Sequence, residues 1–260
     1  MNTRHWSVFT GLCGLAVCVL CAVPSGAQTT EVKEKPPMYS YVANWQIPRE
    51  HWGDVAKVDS ADATIFDKAL ADGTLVGYGF DVNLVHTAEG ETHDGWWSSM
   101  SLAGLLKVLD QLRSLDVSSS PYALNPAKHW DNVYVSRYYN WKSGPYTAGY
   151  VSVAMYKFKP DAPDDAADTL SKNLIVPIME KLLADGTILE YEIDFEAVHT
   201  DAPGTFAIVY VATQPEGLDT VRAAIRQSVK DNPLAGPAFD AATDDGGHRD
   251  ELLKGDGKYK

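Results

Sequence analysis

Two stretches, "KALADGTLVGYGFDVNLVHT" at residues 68–87 and "KLLADGTILEYEIDFEAVHT" at residues 181–200, are versions of one segment set 113 residues apart. The ungapped match runs over 68–113 and 181–226, with 16 of 46 positions identical, and it carries "GLLKVLDQLR" onto "GLDTVRAAIR". A repeat this long implies tandem domains rather than a solenoid. Within each copy, Asp-Gly after an apolar periodic segment is a helix stop, because glycine takes the left-handed conformation that satisfies the last carbonyls. The residues that follow alternate. Val76, Tyr78, Phe80, Val82 and Leu84 share one face, and Gly77, Gly79, Asp81 and Asn83 the other, which predicts a strand with one buried side.

Working outward gives the same order of elements twice. In copy one, "YSYVANWQIP" (39–48) reads as a strand closed by Pro48. A helix is predicted over 60–71, then the strand just described, then a short strand "DGWWSSM". The segment "SLAGLLKVLDQLRSL" places Leu102, Leu105, Leu106, Leu109 and Leu112 on one helical stripe. A last strand is predicted at 132–141. Copy two repeats this with "YVSVAMYKF" (150–158), a helix over 165–184, "TILEYEIDFEAVH", "TFAIVYVAT" and a helix over 216–230. Pro177 inside the first of these helices removes one backbone hydrogen bond, so a kink is expected there. The repeat fades at its end: "PAFDAAT" (237–243) reads as a short strand, and 244–260 as a polar tail.

The order βαββαβ is the split βαβ unit, a four-stranded antiparallel sheet with both helices on one face. Two such units in tandem resemble the dimeric α+β barrel (ferredoxin-like) superfamily, over roughly residues 39–243. The fold class expected is therefore α+β, with duplicated ferredoxin-like units pairing as a barrel. The boundaries are a signal peptide at 1–27, a polar linker at 28–38, copy one at 39–147, copy two at 148–243 and a polar tail at 244–260. The resemblance implies a cavity between the sheets. It also implies a range of chemistries, from cofactor-independent monooxygenases and small isomerases or decarboxylases to haem-binding enzymes.

The leader reading rests on Arg4 and His5, an apolar run from Val8 to Val23, and the small residues Ser25, Gly26 and Ala27 before the expected cleavage point. The run is shorter than the roughly 20 residues a spanning helix needs. A secreted or periplasmic protein is expected, free of the membrane after cleavage. All three cysteines, Cys13, Cys18 and Cys21, lie in the leader, so disulfides, thiolate catalysis and cysteine metal sites are excluded from the remainder. With 22 basic against 35 acidic side chains, the formal charge is −13, which argues against nucleic acid and anionic membrane surfaces as partners.

Candidate functional residues come from the repeat and from the aromatics. On the face away from the helices stand Asp81 and Asn83 in copy one, and Glu190, Glu192, Asp194 and Glu196 in copy two. Buried together they would repel and raise one another's pKa values; a solvated face is the simpler reading, since no paired ligand spacing indicates a metal. Asp81 recurs as Asp194, and His86 as His199. Five residues apart on a strand, Asp81 and His86 face opposite ways unless the strand bulges, and a histidine capping the strand end is the plain alternative. His86 and Asp81 are the candidate acid–base pair. Tyr41, Asn44, Trp45, Trp97, Arg137, Asp194 and His199 are the candidate ligand-binding residues, because rings with polar tips suit an apolar or aromatic molecule. Aromatics crowd copy one, with Tyr39, Trp52, Trp96, Trp130, Tyr134, Tyr138, Tyr139 and Trp141 beside those named, so the site is expected there. No cofactor is expected. His51, His86, His93, His129, His199 and His248 leave non-covalent haem open, and the absence of CxxCH excludes covalent attachment. The reading is an exported protein binding a small apolar or aromatic molecule, either a monomer with pseudo-dimeric halves or a higher oligomer. A cofactor-independent monooxygenase or isomerase using His/Asp chemistry is the alternative, and a partner-binding structural module the second.

Overall fold

The computed structural model describes residues 33–115, 128–198 and 204–260. The predicted signal peptide and His199 lie outside them. Eight strands form a closed antiparallel barrel: β1 (Met38–Gln46), β2 (Gly77–Asn83), β3 (His93–Ser99), β4 (Lys128–Trp141), β5 (Gly144–Phe158), β6 (Ile188–Glu196), β7 (Thr205–Ala212) and β8 (Thr243–Tyr259). Around the barrel the order is β1-β3-β2-β8-β5-β7-β6-β4. The first four strands thus neighbour one another as β4-β1-β3-β2, the last four as β8-β5-β7-β6, and the pairs β2–β8 and β4–β6 join the two sets. Helices α1 (Trp52–Asp72) and α2 (Leu102–Arg113) cover the first set. The second is covered by α3 (Ala166–Leu170), α4 (Val176–Asp185), α5 (Pro215–Asp231) and α6 (Ala235–Ala242). Among the described residues no helix is long and apolar enough to cross a membrane.

The sequence repeat marks the same devices in both sets. Gly73 and Gly186 end α1 and α4 at φ 82° and 85°. The Asp72 and Asp185 carboxylates accept from the backbone N–H of Thr74 and Thr187 at 2.9 and 3.0 Å, holding the turn into the strand. One turn along, Tyr78 donates its hydroxyl to Asp67 of α1 (2.8 Å) and Tyr191 to Glu180 of α4 (2.6 Å), tying each strand to the helix before it. Apolar side chains on the helix-facing side make two cores. One gathers Tyr41, Phe66, Leu75, Trp97 and Leu105; the other gathers Met179, Leu182, Ile193, Phe206 and Val221.

Three sequence expectations are corrected. The first helix begins at Trp52, eight residues before the expected start. The kink near Pro177 is a turn of π-helix over Ser171–Ile175 between α3 and α4, the rearrangement expected where proline removes a helical N–H. The larger correction is at the C-terminus: 237–242 is helical, and the supposed polar tail is β8, the long strand that pairs with both β2 and β5. It escapes a pattern reading because its inward residues include Arg249, Glu251, Gly255 and Gly257, and its two leucines, Leu252 and Leu253, fall on opposite faces, so alternation carries little hydrophobic signal.

Glycines in β2 and β8 make room for large groups inside the barrel. A Cβ at Gly79 would sit 2.7 Å from the Trp96 indole, one at Gly77 2.6 Å from the Tyr259 ring, and one at Gly257 2.5 Å from the Tyr146 ring. At Gly255 it would fall 1.8 Å from Asp81 Oδ1 and 2.2 Å from the Phe80 carbonyl oxygen. Gly255→Ala should therefore cost about 1–3 kcal/mol or more, read as a lowered midpoint in urea unfolding; an unchanged midpoint would refute the packing described.

Candidate functional site

Alternation along the strands builds two different spaces. Ser40, Val42 and Asn44 of β1 look into the barrel, whereas Tyr41, Ala43 and Trp45 look toward the helices. The adjacent Trp96 and Trp97 divide in the same way: Trp96 donates its N–H to Asp81 Oδ2 inside (3.0 Å), and Trp97 stacks on Tyr41 outside, centroids 4.3 Å apart. Space for an apolar ligand therefore lies between the sheet and the helices, while the space between the paired sheets is acidic.

The pocket between β1–β3–β4 and α1/α2 has a volume of about 310 Å³. Tyr41, Trp45, Phe66, Phe80 and Trp97 give it ring walls, and His93, His129, Asp131, Arg113, Asp59 and Asp62 supply its polar groups. Trp45 stands opposite His129 in the β1–β4 ladder, and their rings stack at 3.6 Å. His129 Nε2 lies 3.0 Å from Asp131 Oδ1. Burial alone would raise the Asp131 pKa, but the close approach of the His129 ring and the Tyr41 hydroxyl and the charge of Arg113 outweigh it, and the group lies below its ordinary value. A histidine held by an ionised carboxylate is the arrangement a general base needs. His93 is different. Burial, then the neighbouring His86, pushes it down to about 4, so it is neutral at physiological pH. The Thr92 hydroxyl beside it accepts from the Ile47 N–H and donates to the Trp45 carbonyl. The same hydroxyl lies 2.9 Å from His93 Nδ1 and fixes the orientation of the ring. On α1, burial raises Asp62 to about 6, and burial with the Asp62 charge raises Asp59 to about 7.

The corresponding space in the second half, about 250 Å³, is lined by Leu174, Ile178, Met179, Ile208, Phe239 and similar residues, with Asp240 its one carboxylate. Of these two spaces, the first holds most of the titratable groups. Haem, as the resemblance allows, fits that pocket poorly: its two propionates would meet Asp59, Asp62 and Asp131, with Arg113 the one lining residue of fixed positive charge.

The barrel interior encloses about 100 Å³ and is lined by Asp81, Asp94, Glu190, Glu192, Asp194 and Glu251. Serines meet some of them. Ser136 donates to Asp194, and Ser40 to Glu192 at 3.3 Å. Burial is the first cause of a raised pKa at every one of the six, taking Asp194 to about 6, Asp81 to about 7 and Glu251 to about 8. The solvated face that the sequence suggested is instead withdrawn from water by barrel closure.

The sequence-derived candidates divide accordingly. Tyr41, Trp45 and Trp97 line the ring-walled pocket. Asp81, Asn44 and Asp194 face the barrel interior, with Asn44 donating to Asn132 Oδ1 at 2.9 Å. His86 is exposed in the loop after β2, edge-on to Trp52, so it and Asp81 form no dyad. Arg137 is the extra residue of a bulge in β4 and turns outward to Glu34. His129 and Asp131 went unselected because the predicted strand began at 132. Extended three residues further, the His-x-Asp spacing would have placed both on one face.

No protein-family model matches the chain, and no curated protein matches it in sequence. Solved structures do. A candidate monooxygenase from Lactobacillus acidophilus aligns with a TM-score of 0.55 at 10% identity, over 85% of this chain and 94% of its own. One from Fusobacterium nucleatum aligns at 0.55 and 8% identity, over 87% and 95%. An anthrone oxidase-like protein aligns at 0.52 and 9%, over 85% and 92%. The likeness establishes a ferredoxin-like α+β barrel fold.

Raised carboxyl pKa values make a prediction about stability. A group whose folded pKa lies above its unfolded value stabilises the fold below its ordinary range and loses that contribution as pH rises through the folded pKa. For Asp194, Asp81 and Glu251 that window is about 6 to 8. The melting temperature should accordingly fall by about 5 °C or more between pH 5 and pH 9, measured by scanning fluorimetry; a flat or rising profile would contradict the buried carboxyl cluster.

Proposed function

We propose that this chain is a duplicated α+β barrel, exported by its leader, that binds a small aromatic molecule with a polar substituent in the pocket between β1–β3–β4 and α1/α2. The observation that carries the reading is the combination, in one 310 Å³ space, of five ring walls with the His129–Asp131 pair and neutral His93. Rings in offset stacks offer a planar ligand a flat slot, and the polar groups can orient a hydroxyl or carbonyl. The duplication is supported by the recurrence of Gly73/Gly186, Asp72/Asp185 and the Tyr78 and Tyr191 ties. The second half, with its apolar counterpart pocket, serves chiefly to complete the barrel.

A second reading, cofactor-independent oxidation, is favoured by the His129–Asp131 pair. In a diaryl methylene compound such as anthrone, His129 would take a proton from the methylene carbon. The carbanion would give its electrons to dioxygen, and the methylene would leave as a carbonyl holding one oxygen atom, with the other released as water. Likeness to an anthrone oxidase-like protein and to candidate monooxygenases supports asking this of the pocket. Likeness of fold does not by itself choose between binding and turnover.

Tryptophan fluorescence titrated with 2-naphthol and with anthrone tests the first reading. Saturable quenching is expected, weakened about thirtyfold in Trp45→Ala; no saturable change with either compound would overturn it. Oxygen uptake with anthrone, lost in His129→Ala while binding persists, tests the second. A pH series adds a sign. Asp59 and Asp62 are neutral below about 6 to 7 and anionic above, so naphthalene-2-carboxylate should bind less tightly at pH 8 than at pH 5.5, whereas 2-naphthol should change little.

A further inference from the structure

The barrel interior carries acid that its own residues do not neutralise. Glu190 is 1% exposed, and neither of its carboxylate oxygens meets a hydrogen-bond donor. Tyr259 approaches closely enough to ease its ionisation without meeting either oxygen in hydrogen-bond geometry. Asp81 Oδ1 and Asp94 Oδ1, in the same cavity, are likewise without donors, and so is the Tyr146 hydroxyl. Arg249, the one basic residue of the lining, is paired with Glu251. A buried carboxylate without a partner is costly enough that proteins neutralise it or pair it. Asp81 Oδ1 lies against Gly255, whereas Glu190 and Asp94 line the enclosed space.

We propose that this chamber binds a small aliphatic ammonium ion, held by Glu190 together with Asp94. An ammonium group offers three N–H donors, and the unpaired oxygens of these two residues are acceptors on two different strands. The rings of Trp96, Tyr146 and Tyr259 line the same space and attract a cation over their faces. An organic cation suits the site better than a metal ion. Among the described residues no three acidic or histidine side chains surround a metal-sized point, and a cavity of about 100 Å³ has room for several waters, and so for a short alkyl chain. Asp94 borders both this chamber and the aromatic pocket, but Glu190 lines the chamber alone, so a change at Glu190 separates the two sites.

Calorimetric titration of the intact protein at pH 8 with ethylamine and with 1,4-diaminobutane, and with calcium chloride as comparison, tests this. Saturable, one-to-one binding of at least one amine is expected, weakened about thirtyfold or more in Glu190→Gln. Asp94→Asn provides a second variant should the first fail to fold; 2-naphthol quenching retained in Glu190→Gln shows that the fold and the other pocket are intact, and a cooperative thermal unfolding transition shows that Asp94→Asn, which borders both spaces, is folded. Binding of neither amine, equal binding in a folded Glu190→Gln protein, or tight binding of calcium in place of the amines would each overturn the proposal.

Discussion

Pairing of β2 with β8, from Gly77 opposite Tyr259 to Asn83 opposite Leu253, and of β4 with β6 on the other side, leaves the barrel without a free edge. Unpaired strand edges are templates for aggregation, and closure removes them. Closure also decides what happens to every inward residue. A four-stranded sheet with helices on one side would leave Asp81, Glu190, Glu192 and Asp194 in water. Once the sheets meet, those carboxyls lose their hydration and become weaker acids. The acid cluster is thus a consequence of topology acting on residues that, strand by strand, look ordinary.

The same constraint explains the glycines and rings. Where β2 and β8 run side by side, Gly77, Gly79, Gly255 and Gly257 leave a shallow wall, and Trp96, Tyr259, Tyr146 and Asp81 occupy the room. Tyr259 stacks on Trp141 at 5.5 Å, and Trp141 on Tyr139 at 5.5 Å, so a column of rings lies across this end of the barrel. Aromatics that read as ligand clues in the sequence are therefore partly the filling of the barrel. Tyr41, Trp45 and Trp97 are turned the other way, toward the helices.

The two halves use one frame for different ends. Each has a tyrosine tied to a helix carboxylate and an Asp-Gly turn, and each leaves a space between sheet and helices. In the first half that space holds histidines, carboxylates and an arginine; in the second it is apolar.

Local signals determined much of this in advance. Helix stops, strand alternation and the order of elements are short-range properties, so the repeat at 68–87 and 181–200 was enough to indicate an α+β barrel, and parity along β2 and β6 was enough to put Asp81 and Asp194 on a common side. Three things needed the tertiary structure. The long last strand was invisible because its inward face meets a largely polar interior, so burial left only Leu253 and Tyr259 as inward apolar residues in 244–259. The His129–Asp131 pair was hidden by a strand boundary set too late, and its meaning depends on Trp45, 84 residues away, lying across the ladder. The ionisation of the inner carboxyls depends on desolvation, which no single strand possesses: it arises when eight strands close on one another, a long-range property that composition and periodicity do not encode.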